Sequence, residues 1–428
     1  MEMGSNVQLL IGIFVVAFLL IAFEKWHRTT VSFFSAILVI VLGFLTPEEA
    51  WNFIDFNTLG LLLGMMIIVA FFRRTGFFEF VAIKAIRISK GNFFALFFFF
   101  FMLTGFVSAF LDNVTTVLIF SPIIILVARM TGISPFPFLV GEIIASNLGG
   151  TATLIGDPPN IIIGSAANLS FNDFVVNLTL PVLLVMVITV YFLKFLFKNK
   201  YKIDGKFDLS TVKIDERGAI KDRVLLFKTL GVFFFVIVGF ILHDRLHLLP
   251  SIVALTGAVL LLFVTNYDPE KLLHEVEWTT LFFFGGLFVL VGALEKFHVI
   301  ENLANLLLRF SRGELGLILV VSLLSFVFTV IMGAIPFVVT MVPILQSIIT
   351  KTPGIHANAL WWTLSLSACF MGNATLIAAA ANLVVAGISE KTQDKITFKN
   401  YLKYGLLSSI VSFLIALLYI IIRYYVIK

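Results

Sequence analysis

The chain has 428 residues, 60% of them hydrophobic and 13% charged, with a mean hydropathy of +1.07 and a formal charge of +5. That balance excludes a water-soluble domain and points to an all-α polytopic membrane protein, since lipid offers no partner to backbone groups left outside a helix. The pI near 9.2 does not indicate nucleic acid, because the basic residues fall in loops between apolar spans, and the single cysteine excludes intrachain disulfides and sites of several thiolates.

The first apolar segment, residues 7–23, resembles a signal sequence but lacks a basic start and exceeds a typical cleaved core, so it reads as the first span. Further spans are expected near 30–46 and 57–72. Residues 77–89 place Lys84 and Arg87 among apolar residues at helical spacing, as in an amphipathic helix lying in the interface. A hydrophobic excursion over about 93–129 is interrupted at Asp112 and Asn113, in FLDNVTTVLIFSP, and reads as a re-entrant helical hairpin. The next span, about 138–167, is broken: GGTATLIGDPPN supplies Gly149, Gly150, Gly156, Asp157, Pro158, Pro159 and Asn160 where a continuous helix is needed. Backbone groups freed there must face protein or a water-filled cavity. A span near 173–196 closes this half, and residues 198–223 form a mixed-charge linker read as a solvated tether.

An offset of about 222 positions then brings Asp55 onto Glu277, Thr58 onto Thr280, Gly64 onto Gly286 and Glu79 onto Glu301. The same offset lays Thr153, Leu154, Ile155 and Asn160 over Thr375, Leu376, Ile377 and Asn382. Second-half elements are expected near 225–242, 249–265, 278–294, 315–350, 358–387 and 400–424, so repeats of 1–197 and 224–428 flank the linker. If each hairpin enters and leaves by one side, each half crosses five times and the second repeat is inverted. Most Lys and Arg, including Arg73, Arg74, Lys84, Arg87, Lys90 and the cluster from Lys198 to Lys228, collect on one side. This bias places the linker in the cytoplasm and both termini outside a cell (inner) membrane.

Asp112, Glu142 and Asp157 are the carboxylates inside first-half membrane segments, where a charge costs about 2.5–3.5 kcal/mol and is usually functional. Asp112 with Asn113, Thr115 and Thr116 forms a cluster of hard oxygen donors suited to Na+ or a proton relay; the alternative is that Asp112 caps the helix that follows. Asp157, before two prolines, has the same pair of readings. Glu142 either joins the site or pairs with a basic residue near the end of its span. Asn147, Thr151, Thr153 and Asn160 supply uncharged polar groups. The second half is thinner: Gly333 and Ala334 stand opposite Asp112 and Asn113, Ala379 stands opposite Asp157, and Asn373, Thr375 and Asn382 remain. An asymmetric site follows, with H+ or Na+ handled by the first half, and no cofactor or structural metal expected. His356 reads as an exposed or capping histidine. No Lys or Arg falls inside the expected pocket, which weighs against a solute with several carboxylates, although half-helix N-termini can bind anions.

At these residues the chain resembles the ion transporter superfamily, which includes dicarboxylate and citrate carriers, the arsenite efflux permease and the melanosomal P protein. The arsenite permease and P protein branch is the nearer match, through ASNLGGTATLIGDPPNIIIGSA and FLDNVTTVLIFSP, and the resemblance covers essentially the whole chain. It implies a homodimer in which a transport domain, from about 93–167 and 315–387, moves elevator-fashion against a scaffold of the remaining spans. It also implies that Asp112, Asn113 and Thr115 at the hairpin tip, with Thr151, Thr153, Gly156, Asp157 and Asn160, bind solute or coupling ion. Gly333 and Ala334 depart from the Asp and Asn of that branch, and Met371 and Ala378 replace its usual glycines. Arsenite is a neutral hydroxide near neutral pH, which suits amides and hydroxyls beside a protonatable Asp. The reading is therefore proton-coupled arsenite or antimonite efflux, with a soluble ATPase subunit as a further partner. Na+/H+ exchange and organic or inorganic anion transport are the alternatives. No enzyme is expected, because an aspartyl intramembrane protease needs a GxGD motif and Leu154 stands where its first glycine belongs. A passive channel would be separated from a carrier by transport against a gradient.

Overall fold

The computed structural model describes residues 2–23, 25–201, 205–207, 216–311 and 313–426. The first half runs through α1 (Glu2–Phe23), α2 (Arg28–Val41), α3 (Pro47–Phe53), α4 (Phe56–Thr75), α5 (Phe77–Ile88), α6 (Phe93–Ser108), α7 (Asn113–Thr131), α8 (Phe136–Gly150), α9 (Pro158–Ala167) and α10 (Phe171–Tyr201). After a short α11 (Glu216–Ala219) come α12 (Arg223–Leu242), α13 (Pro250–Thr265), α14 (Pro269–Leu273), α15 (Trp278–Lys296), α16 (Val299–Phe310), α17 (Gly313–Met332), α18 (Ala334–Lys351), α19 (Ala357–Met371), α20 (Ala380–Ser389) and α21 (Phe398–Ile421). Element by element, α12 to α21 repeat the order of α1 to α10, with equal lengths for α5 and α16, α8 and α19, and α9 and α20. Nine of the described helices are long and apolar enough to cross a membrane.

Local chemistry sets the helix ends. Thr46 and Glu49 close a capping box on α3, with Pro47 at its first position. Asp55 caps α4 by accepting the N–H groups of Asn57 at 3.0 Å and Thr58 at 3.1 Å. In α5, Phe78, Ala82, Ala85 and Ile86 are buried while Lys84 and Arg87 are exposed, the amphipathic arrangement read from the sequence.

Contacts between the halves come in reciprocal pairs. Helix α4 packs on α13 as α15 packs on α2; α7 meets α20 as α18 meets α9; α10 meets its own counterpart α21. The crossings are close because they are built on glycine. A Cβ on Gly64 would lie 2.6 Å from the backbone carbon of Ala254, and one on Gly286 would lie 2.7 Å from that of Ser32. Gly64 and Gly286, like Ser32 and Ala254, are repeat mates, so one crossing occurs twice. Ion pairs follow the pattern in their basic members only: Arg74 binds Glu275, and its repeat mate Lys296 binds Glu49 at 2.7 Å.

The linker departs from the free tether expected from its composition. Gly205 accepts the N–H of Phe93 at 3.1 Å, Phe207 donates to the carbonyl of Gly91 at 2.8 Å, and the Phe207 ring stacks on Phe93 at 5.3 Å. Lys221 donates its backbone N–H to Thr75 at 2.9 Å and reaches Glu79 at 3.0 Å. Ring stacking and backbone pairing at the base of α6 dock these stretches, and neither leaves a compositional mark. Residues 202–204 and 208–215 of the expected tether lie outside the described residues.

The glycine crossings predict that Gly64→Val and Gly286→Val each lower the melting temperature of the detergent-solubilised protein, by about 1–3 kcal/mol of stability. Gly231→Ala, which meets open space, is the matched control. Lys296 beside Glu49, helped by the Thr46 N–H, holds the Glu49 carboxyl below its ordinary value of 4.5. Its contribution is therefore present above that value and lost as pH falls through the lowered one. Melting curves below about pH 4.5 are expected to fall more steeply in the native protein than in Glu49→Gln.

Candidate functional site

Two helices break inside the protein. Helix α8 ends at Gly150, residues 151–157 are irregular, and Asp157 is extended (φ −140°, ψ 131°) before α9 starts at Pro158. Its counterpart α19 ends at Met371, a single 3-10 turn covers Leu376–Ala378, and Ala379 is extended (φ −144°, ψ 146°) before α20. The carbonyls freed at each break need donors. Asn160 donates both amide hydrogens, to Thr151 at 3.0 Å and Thr153 at 2.9 Å, and Asn382 donates to Gly372 at 2.7 Å and Thr375 at 2.8 Å. Each clamp is in turn held by the other half: Ser365 donates to the Asn160 oxygen at 2.6 Å, and Asn147 donates to the Asn382 oxygen at 2.9 Å.

The first hairpin tip joins this network. Asn113 donates to Asn147 at 2.9 Å and to Asp157 at 3.2 Å, and Asn147 donates onward to Asn373 at 2.8 Å. Tyr401 secures the backbone carbonyl of Asn373 at 2.8 Å. A chain of amides thus runs from the α6–α7 tip through both breaks, with every amide oriented by its neighbours. Between the tip, the breaks and the N-terminal ends of α2 and α15 lies a cavity of about 50 Å³, lined by Asp112, Asn113, Asn147, Asp157, Cys369, Arg28 and Glu277 among others. At roughly 10–15 Å³ per water-sized position, it holds a few waters or one small ion.

Of the residues singled out from the sequence, Asp112, Asn113, Asn147 and Asp157 line this cavity, together with Gly333, Ala334 and Ala379 of the second half. Asp112 accepts the Thr115 N–H at 2.9 Å, so it caps α7 and lines the cavity at once; Thr115 serves that cap. Asp157 stands at the cap position of α9 without making a capping bond, which corrects the capping alternative and leaves its carboxylate to Asn113 and the cavity. Thr151 donates to Asn147 at 2.8 Å, Thr153 to Ala109, and Thr375 to Val330 at 3.2 Å; these hydroxyls tie breaks and hairpins to backbone. Gly156 lets the break approach Gly150 and Ser108, whose carbonyl oxygens would each lie 2.5 Å from an added Cβ. Asn160, Asn373 and Asn382 orient the site from behind. Glu142 is buried away from the cavity, accepts from Ser121 at 2.8 Å, and pairs with no basic residue among the described residues. His356 is exposed and meets Glu314 at 3.0 Å.

The sequence reading missed Arg28, Glu277 and Cys369. The expectation of a pocket without Lys or Arg is corrected by Arg28, which heads α2 two residues before the span was taken to start at about 30. Glu277 had a signal: it is the repeat mate of Asp55, but it makes no capping bond on α15 and turns to the cavity. Cys369 is the repeat mate of Asn147, a relation hidden by the difference in chemistry.

The sequence profile of the citrate transporter family matches residues 18–367. An uncharacterized transporter of Mycobacterium tuberculosis is 39% identical over 425 residues, covering 97% of this chain and 98% of that protein. The P protein of Mus musculus is 32% identical over 514 aligned positions, covering all of this chain and 61% of that longer protein. Among solved structures, the YdaH transporter of Alcanivorax borkumensis superposes with a TM-score of 0.61 at 15% identity, covering 89% of this chain and 88% of that one, and so shares the fold.

Removing a clamp strands two buried carbonyls and the donor that held its oxygen, the Ser365 hydroxyl for Asn160 and the Asn147 amide for Asn382. Asn160→Ala and Asn382→Ala are each expected to destabilise the protein by about 2–5 kcal/mol, read as a lower melting temperature in detergent, whereas Thr340→Ala leaves it unchanged.

Proposed function

The chain belongs to the citrate transporter family, and on that premise we propose that it is a secondary active carrier coupled to H+ or Na+, working by alternating access of an elevator type. The moving body would comprise α6 to α9 and α17 to α20, and the scaffold the remaining spans, in a homodimer of the inner cell membrane with the linker cytoplasmic. The reciprocal pairing of helices between the halves supports an inverted repeat, in which two alternative packings of the same elements open to opposite sides.

The observation that carries the reading is the charge set around the cavity: Asp112, Asp157 and Glu277 against Arg28, in about 50 Å³. An excess of carboxylates favours a cation or proton and opposes a free polyanion. Crossing the bilayer with uncompensated carboxylates is costly, so Asp112 and Asp157 would have to be neutralised before the body moves; that requirement is the coupling. Asn113 and Asn147 present fixed amides to the solute. A small neutral metalloid hydroxide, arsenite or antimonite, fits this volume and polarity. A second reading, citrate or another anion, is favoured by Arg28 and by the family profile; it requires a wider cavity and co-bound cations to offset the carboxylates.

Purified protein in liposomes, given arsenite, Na+, citrate and phosphate in turn under an imposed pH gradient, separates these solutes. The expected result is accumulation of arsenite that collapses with the gradient; citrate accumulation alone would reverse the preference. Asp157→Asn keeps an acceptor for Asn113, so folding and yield should be retained while gradient-driven accumulation is lost. Full activity in that variant would remove Asp157 from coupling.

A further inference from the structure

The cavity adjoins one mouth directly, and the internal repeat relates that mouth to a second pocket, which shares no lining residue with the cavity and differs from the first in charge. One mouth is lined by His27, Arg28, Val114, Glu277, Thr280 and Leu383, and shares Arg28, Val114, Glu277 and Thr280 with the central cavity. The other is lined by Asn57, Ile161, Ser165, His243, Asp244 and Pro250. The offset of about 222 residues lays Arg28 over Pro250, Glu277 over Asp55 and Leu383 over Ile161, so these are the same positions seen from the two sides.

Helix N-termini face both mouths, those of α2 and α15 at one and those of α4 and α13 at the other, so their dipoles favour neither side. The side chains do differ. Where Arg28 stands at the first mouth, the second has Pro250, and the carboxylate of Asp55 is engaged by Asn57 and Thr58. His243 at the second mouth is also committed, with Nε2 accepting the Phe171 N–H at 3.2 Å and Nδ1 meeting the Leu248 carbonyl at 3.1 Å. Arg73 has Glu295 as its repeat mate, so the two halves differ in charge at this position as well.

Building on the alternating-access reading above, we propose that Arg28 is the counter-charge of the emptied carrier. Once solute and coupling ion have left through the α2 and α15 mouth, its guanidinium balances Asp112 and Asp157 across the shared cavity. At the opposite mouth the matching position is Pro250, and His247, which lines that mouth, is exposed to solvent. The empty, ionised carrier therefore rests open to the Arg28 side, and it turns to the other side only after a proton or cation has neutralised the aspartates. Arg28 is a positioning residue for this exchange, and the bias it sets is about tenfold or more, as expected for opposite charges across a partly hydrated cavity.

The repeat supplies its own reporters. In a Cys369→Ala background, Leu383→Cys marks the Arg28 mouth and Ile161→Cys marks the opposite mouth, each read by its labelling rate with a membrane-impermeant maleimide in liposomes without added solute. The ratio of the two rates is expected to favour Leu383→Cys in the native protein and in Arg28→Lys, and to fall about tenfold in Arg28→Gln. Glu277→Gln, which removes a carboxylate competing for Arg28, should move the ratio the other way and serves if Arg28→Gln is poorly folded. In an Asp112→Asn, Asp157→Asn background, Arg28→Gln should have no further effect, a result that loss of packing alone would not give. A ratio unchanged by both Arg28→Gln and Glu277→Gln overturns the inference and leaves the carrier reading standing. If Leu383→Cys labels in every variant and Ile161→Cys in none, the alternating-access reading fails and takes the inference with it.

Discussion

A helix opened at membrane depth leaves carbonyl groups that lipid cannot satisfy, and the rest of this structure depends on how those groups are paired. Asn160 and Asn382 answer the same need at two places. Each folds its amide back over its own break, donates twice to freed carbonyls, and accepts one hydrogen bond from the opposite half. An amide suits this position because it carries two donors and an acceptor without charge. The clamps also bind the halves together, since neither is complete without Ser365 or Asn147 from across the interface.

With the breaks held this way, Asp157 is released from the duty its position suggests. A residue before two prolines at a helix start would ordinarily cap; here the carboxylate goes to Asn113 and the cavity. Asp112 does both jobs, since one oxygen is enough for the cap on α7. The second hairpin is built differently. Gly333 turns at φ +90° and ψ 158°, a conformation reserved for glycine, and Ala334 adds no polar group. The backbone plan is therefore shared between the halves while the charges are not, and the difference extends outward to Arg28 opposite Pro250 and Glu277 opposite Asp55.

Much of the architecture was legible in the chain because membranes restrict the choices. Long apolar runs, Gly and Pro clusters inside them, and polar identities recurring at one offset located the turns between α6 and α7 and between α17 and α18, both breaks and the shared order of elements in the two halves. At the site the legible part was the set of residues at the first hairpin tip and in or beside the first break: Asp112, Asn113, Asn147 and Asp157. Sequence could not separate residues that line a cavity from residues that support it, because both must be polar. Asn160, Asn382, Thr151 and Thr153 looked like ligands and are backbone clamps. Glu142 looked like a site carboxylate and is buried with Ser121.

By itself, then, the sequence determined that this is a helical membrane protein of two similar halves, each with a hairpin and a helix that cannot continue; hydrophobicity and backbone chemistry act locally and leave periodic marks. Only the tertiary structure decided which charges meet. Arg28 and Glu277 lie at helix ends far along the chain from Asp112 and Asp157, and they share a cavity with them because α2 packs against α15 beside the hairpin tip. Electrostatic partners are chosen by distance through space, which no spacing along the chain records.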